Sequence, residues 1–205
     1  MFKYFSVEYY WEYFNVTTND IIERVQHACF PIKQTSIFGH EGKYDLYGPI
    51  WTILTLNTMI FIFGNIASLL ESQVNEDESY SDQALWVSSS TGFLTFYFIF
   101  IPLALWGLIR IIGNGKDDIE YFFLVSVYGY SFVPFLPAIM IYVIPVNMIK
   151  WAVLLTAGSI SLFFLAKEMF GKVAECLEGS HVKLASILML ILHLIFILCL
   201  KWKFL

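Results

Sequence analysis

From Ile50 to Leu70 the chain runs 21 residues without a charged side chain. As an α-helix that run is about 30 Å long, the thickness of the hydrocarbon core of a bilayer. Four more apolar runs follow, at about 84–109, 121–144, 148–166 and 184–200, free of Asp, Glu, Lys and Arg except for Lys150 near the start of the fourth. Composition agrees: 58% of the 205 residues are hydrophobic and 19% aromatic, and only 14% are charged, against about 25% in a soluble domain. The sequence therefore predicts an all-α membrane protein. Five transmembrane helices, residues 50–205, follow a short N-terminal arm, residues 1–49.

The connections set the expected orientation. Five spans put the two ends on opposite sides. One side receives Lys3, Arg24, Lys33, Lys43, Arg110, Lys116, Lys167, Lys172 and Lys183, nine of the twelve basic residues. The other receives Lys150, Lys201 and Lys203, together with the loop 71–83, which has five acids and no Lys or Arg. The positive-inside rule then predicts a cytosolic N-terminus and a luminal C-terminus. The start, MFKYFSVEYYWEYF, mixes charges with aromatics and has no apolar core, so it does not read as a cleaved signal peptide.

The arm changes into hydrocarbon at DLYGPIW, residues 45–51. Asp45 is the last charge. Tyr47 and Trp51 are amphipathic aromatics suited to the membrane boundary. Pro49 suits the first turn of a helix, where a missing N–H leaves no bond unmade. Within the arm, Glu8 and Glu12 stand i, i+4 beside an aromatic face that either docks on a partner or the bilayer or folds back on the protein's own spans. A second helix is expected from a capping-box-like Asp20…Glu23, with Thr18 an alternative cap, to Pro31. Its apolar stripe is Ile21, Val25, Ala28 and Cys29, with Glu23, Arg24 and Gln26 elsewhere. Asn15-Val16-Thr17 fits a glycosylation pattern that a cytosolic arm leaves unused.

Inside the spans, polar residues are chiefly small or uncharged. Asn57, Gly64, Asn65 and Ser68 share one side of the first span, and Ala157, Gly158 and Ser161 repeat small-residue spacing in the fourth. His193, near the middle of the fifth, is either a functional group or a packing bond to a neighbouring helix. The third span is interrupted: YGYSFVPFLP, residues 128–137, places Pro134 and Pro137 after Gly129. Each proline removes a helix bond, so this predicts a kink, either a fixed bend or a transporter-like binding site. Pro102 is a second candidate kink.

Catalytic signatures are lacking. There is no nucleophile elbow, Walker loop, HExxH or dinucleotide fingerprint. Four His and three Cys (29, 176, 199) make no metal-ligand spacing, so no metal or other cofactor is expected. Asp117-Asp118 with Glu120 reads as a solvated loop. A net charge of −5 argues against nucleic acid as a partner.

DLYGPIW and YGYSFVPFLP, with five spans behind an arm that reads FSVEYYWEYFNV (5–16) and then GKYDLYGPIW (42–51), resemble the Yip-domain family, the Ypt/Rab-interacting membrane proteins called YIPF in animals. The likeness is to its Golgi subgroup. It implies a non-enzymatic protein of Golgi or ER–Golgi membranes that acts in vesicle-mediated transport or Golgi organisation. Its implied partners are prenylated Rab GTPases, other Yip proteins in homo- or hetero-oligomers, and membrane lipid. The family motif falls on Asp45, Leu46, Tyr47, Gly48 and Pro49, and on Gly129 and Tyr130, which are the expected partner-binding positions. One departure is the short arm, without the long polar leader that many members carry. The alternative from the residues themselves is a small lipid or solute transporter that uses the kinked third span.

Overall fold

A computed structural model describes residues 7–32, 36–38, 43–74, 80–113, 119–177 and 180–203. Lys33, His40, Lys116, Asp117, Asp118, the acids 76–78 and the aromatics at 2–5 lie outside the described residues. The described residues form eight helices, in order: α1 Val7–Phe14, α2 Thr18–Cys29, α3 Tyr47–Val74, α4 Tyr80–Ile112, α5 Tyr121–Ser131, α6 Phe135–Tyr142, α7 Asn147–Cys176 and α8 Ser180–Lys203. Five segments are long and apolar enough to cross a membrane: Tyr47–Ala67, Thr91–Ile112, Tyr121–Tyr142, Asn147–Cys176 and His181–Lys201. The third of these is α5 and α6 together.

That third segment is the axis of the bundle. It is 78% buried, against 33–39% for the others. α3 packs along both α5 and α6, α4 packs on α5, and α7 packs on both halves from another side. α8 closes the bundle against α4 and α7. The outer helices turn Phe61, Phe96, Phe100, Phe163, Leu194 and Leu198 outward, each 47–58% exposed. An apolar exterior of this kind is stable only in lipid.

The break in the axis follows from its prolines. Pro134 and Pro137 cannot donate, and the amides around them shift to shorter, 3₁₀-type bonds. Val133 N–H bonds the Tyr130 carbonyl at 3.1 Å, Phe135 N–H the Phe132 carbonyl at 3.0 Å, and Leu136 N–H the Val133 carbonyl at 3.1 Å. This releases the Ser131 carbonyl, which accepts a 2.5 Å bond from the Ser161 hydroxyl on α7. Ser161 lies in the small-residue stripe of α7. Beside it, a Cβ added at Gly158 would stand 2.9 Å from Ile197 Cδ1, so α7 and α8 touch closely there. α4, by contrast, runs on through Pro102.

The arm's second helix is capped at Thr17, three residues before Asp20 and one before Thr18, the two caps the sequence suggests. Thr17 is the N-cap: its hydroxyl accepts from Asp20 N–H at 3.3 Å, and its own N–H donates to the Asp20 carboxylate at 2.9 Å. The backbone and hydroxyl of Thr17 hold the Asp20 carboxyl below its ordinary range. Asp20 is thus the third helical residue of the box rather than its first. The buried face is also wider than the predicted stripe. Val25, Ala28 and Cys29 do pack on the core, but His27 is buried with them and Arg24 points inward.

Candidate functional site

Where the arm meets the bundle, the fold buries a carboxylate completely. Asp45 is 0% exposed. It sits just before α3 because its Oδ2 accepts the Gly48 N–H at 2.7 Å, which satisfies one of the donors a helix start leaves open. The Tyr130 hydroxyl, on α5, donates to both carboxylate oxygens at 3.0 and 3.2 Å. Arg24, from α2, pairs with Oδ1. Arg24 also donates to the Lys43 carbonyl at 2.9 Å and lies over the Phe38 ring, 5.4 Å from its centroid. A buried charge stays ionised only when it is paired and its lone pairs are filled. Here a guanidinium, a phenol and a backbone amide supply those contacts.

The glycines explain how the groups come so close. A Cβ on Gly48 would stand 2.5 Å from Tyr130 Cζ and nearer still to the hydroxyl. A Cβ on Gly129 would stand 2.8 Å from Pro49 Cα. Gly48-Pro49 and Gly129-Tyr130 are therefore the two halves of one contact, interleaved across α3 and α5. The structure brings together the two motifs that lie about eighty residues apart in the chain. It also buries them: Leu46, Gly48, Pro49 and Gly129 are buried with Asp45 and Tyr130, and only Tyr47 faces outward.

A second tie holds the arm to α7. Glu168 is 6% exposed, and its Oε2 accepts the Ser36 hydroxyl at 2.7 Å and the Ile37 N–H at 3.1 Å. His27 lies 3.9 Å away, with its other ring nitrogen 3.3 Å from Lys167 Nζ. By sequence, Lys167-Glu168 marks the end of a span. In the fold, α7 runs on to Cys176, and the arm supplies hydrogen bonds to that carboxylate. On the other flank Tyr44 bonds Glu120. Tyr13 stacks on Tyr44 with centroids 5.6 Å apart, packs on Phe122 at 5.0 Å, and its carbonyl accepts the Leu46 N–H at 2.9 Å. The aromatic face of α1 is thus divided. Tyr13 folds back on the protein, while Trp11 and Phe14 stay exposed at 67% and 43%.

His193 forms a separate node in mid-membrane. Ser161 gives its one hydroxyl proton to the Ser131 carbonyl, so it accepts from His193 Nε2 at 2.8 Å. Nδ1 is then the acceptor for the Tyr97 hydroxyl at 2.9 Å. A neutral ring protonated on Nε2 satisfies both contacts, and it joins α4, α7 and α8 to the freed carbonyl of the broken helix. Both ring nitrogens are used in packing. Phe132, Phe135 and Phe196 fill the space around the break.

Among the described residues, no group of His, Cys, Asp and Glu is placed to hold a metal ion. Burial raises the Cys29 thiol above its ordinary range, away from a reactive thiolate.

Comparison with known proteins agrees with the geometry. The family model described as the Yip1 domain matches residues 37–201. That range contains both interleaved motifs, Glu168 and all five spans. The chain is similar to the Protein YIPF1 homolog of Dictyostelium discoideum, 27% identical over 174 residues, which are 85% of this chain and 49% of that protein. It is also similar to Protein YIP5 of Schizosaccharomyces pombe, 24% identical over 166 residues, 77% of this chain and 64% of that one. The chain thus spans about half to two thirds of the length of these relatives. No solved structure matches it. With a family match over four fifths of its length, five spans and the two motifs locked together, the chain is a multi-pass membrane protein that belongs to the Yip1-domain family.

Proposed function

We propose that this protein is a non-enzymatic adaptor of Golgi or ER–Golgi membranes. In this reading it acts in vesicle-mediated transport, with its arm in the cytosol and its C-terminus in the lumen. Its partners are prenylated Rab GTPases and other Yip proteins. The observation that supports this most is the state of the arm. Arg24–Asp45, Glu168 and Tyr44–Glu120 fasten it to the bundle, yet Trp11, Phe14, Ile22, Phe30 and Ile32 remain exposed. An arm held rigidly with apolar residues uncovered is preorganised for a partner, since little ordering remains to be done on binding.

The family motif then has an indirect role. Asp45, Gly48, Pro49, Gly129 and Tyr130 are buried, so they set the position of the arm, and the exposed residues of α1 and α2 make the contact. Crosslinking and partner recovery from intact membranes test this. Trp11→Ala with Phe30→Ala is expected to lower recovery of Rab and Yip partners while the protein still inserts and folds. Recovery equal to wild type would contradict the docking role. Against the transporter alternative, packed aromatic rings fill the space around the break and Ser161 takes up the freed Ser131 carbonyl; the buried Ser126 and Tyr128 hydroxyls, which have no hydrogen-bond partner, are the polar groups it would have to use.

A further inference from the structure

Residues 36–38 of the arm form a short tether on α7. Ser36 is exposed, while Ile37 and Phe38 are buried. The Ser36 hydroxyl donates to Glu168 Oε2 at 2.7 Å, and the Ile37 N–H donates to the same oxygen at 3.1 Å. Lys167 and His27 face the other oxygen, Oε1, at 4.0 and 3.9 Å. Phe38 continues inward. Its ring meets Phe123 and Tyr44 edge to face, with centroids 5.6 and 6.3 Å apart, and Arg24 lies over it. A hydroxyl at the surface is thus linked, through Phe38, to the guanidinium that pairs with Asp45.

The direction of the Ser36 bond leaves it open to reversal. An ionised carboxylate only accepts, so Ser36 holds Glu168 by supplying a proton. A phosphate ester on the same oxygen has no such proton. It adds acceptor oxygens and a charge of about −1.5 to −2 at neutral pH. That charge would stand in contact with a carboxylate only 6% exposed, where salt screens the repulsion poorly. Residues 36–38 belong to no helix. The chain there can straighten without breaking helical bonds, and an exposed hydroxyl outside a helix is within reach of a modifying enzyme.

We propose that Ser36 is a phosphorylation site whose phosphate releases the tether from Glu168. Ile37 and Phe38 then leave the core, Arg24 loses its cover, and the apolar residues carried by α2 are no longer held in place. In the reaction, Ser36 Oγ bonds to the γ-phosphorus of a nucleoside triphosphate held by a protein kinase. The bond from that phosphorus to the diphosphate breaks, and the hydroxyl proton passes to the base of the kinase. The proposal rests on the cytosolic placement of the arm given above, since the kinase reaches it from that side.

Hydrogen exchange on the full chain in nanodiscs tests the release. Exchange over residues 36–38 should be faster with phosphoserine at position 36 than with Ser36→Ala by on the order of tenfold, the weight of one hydrogen bond to a charged group. Glu168→Gln in the phosphoserine chain should slow it again, because an amide does not repel phosphate. Phosphoserine no faster than Ser36→Ala overturns the proposal whether or not the Glu168 variant folds. Phosphopeptide mapping from intact cells, beside protease treatment of sealed microsomes, tests the modification, and phosphate on Ser36 supports it. An accessible arm with no phosphate on Ser36 overturns this proposal alone. An arm that the sealed membrane protects overturns the cytosolic placement and this proposal with it.

Discussion

Among the described residues, Asp45 and His193 centre two fully buried hydrogen-bonded nodes, and they differ in where their partners come from. Around Asp45, the guanidinium belongs to the arm, the phenol to α5 and the amide to the start of α3. Around His193, every partner belongs to a membrane span. The first node is charged and sits where hydrocarbon begins. The second is neutral and sits inside it, where an unpaired charge would be hardest to keep. The node at the boundary can therefore report whether the arm is docked, whereas the node in the interior reports only whether the bundle is assembled.

This contrast can be broken by substitution, and the expected effects are graded. Asp45→Ala should be the most damaging, since it leaves Arg24 without its carboxylate and Tyr130 and Gly48 without their acceptor. Removing one member of a buried pair costs about 3–5 kcal/mol, measurable as a loss of thermal stability in detergent. Gly48→Ala keeps every polar group but drives a methyl into the Tyr130 ring. It should cost about 1–3 kcal/mol by overpacking, and Tyr130→Phe in the same chain should recover part of the clash while losing the bonds to Asp45.

His193→Leu sharpens the comparison from the other side. It strands the Tyr97 hydroxyl in hydrocarbon, for about 1–3 kcal/mol, and should lower unfolding temperature without altering protease access to the arm. Adding Tyr97→Phe should return part of that loss, because removing both partners is cheaper than removing one. Lys172→Ala is the smallest. Its partner Glu175 is 2.9 Å away, but both side chains are at least half exposed, so the change should stay within about 1 kcal/mol.

The five spans were legible because lipid imposes a simple rule: charge-free runs long enough to cross it must be helices. The break at Ser131 was legible for an equally local reason, two prolines within a helix. The rest depended on contacts that no local pattern encodes. Arg24 looked like a solvent-facing residue of an amphipathic helix because its partner lies 21 positions away. Glu168 looked like the charge that ends a span, since the arm residues that solvate it lie over 130 positions off. The motifs at 45–49 and 129–130 were each visible, but not that a glycine in one makes room for a side chain of the other. His193 was flagged by its place in the span, and only geometry shows both its nitrogens used.

The central claim is that the Asp45 node holds the arm to the bundle. Hydrogen exchange on the full chain in nanodiscs, comparing wild type with Arg24→Met, tests it most directly. The account predicts that the amides of α2 are protected in wild type and lose protection in the variant, while those of α5 and α7 are unchanged. Equal protection of α2 in both proteins would contradict it.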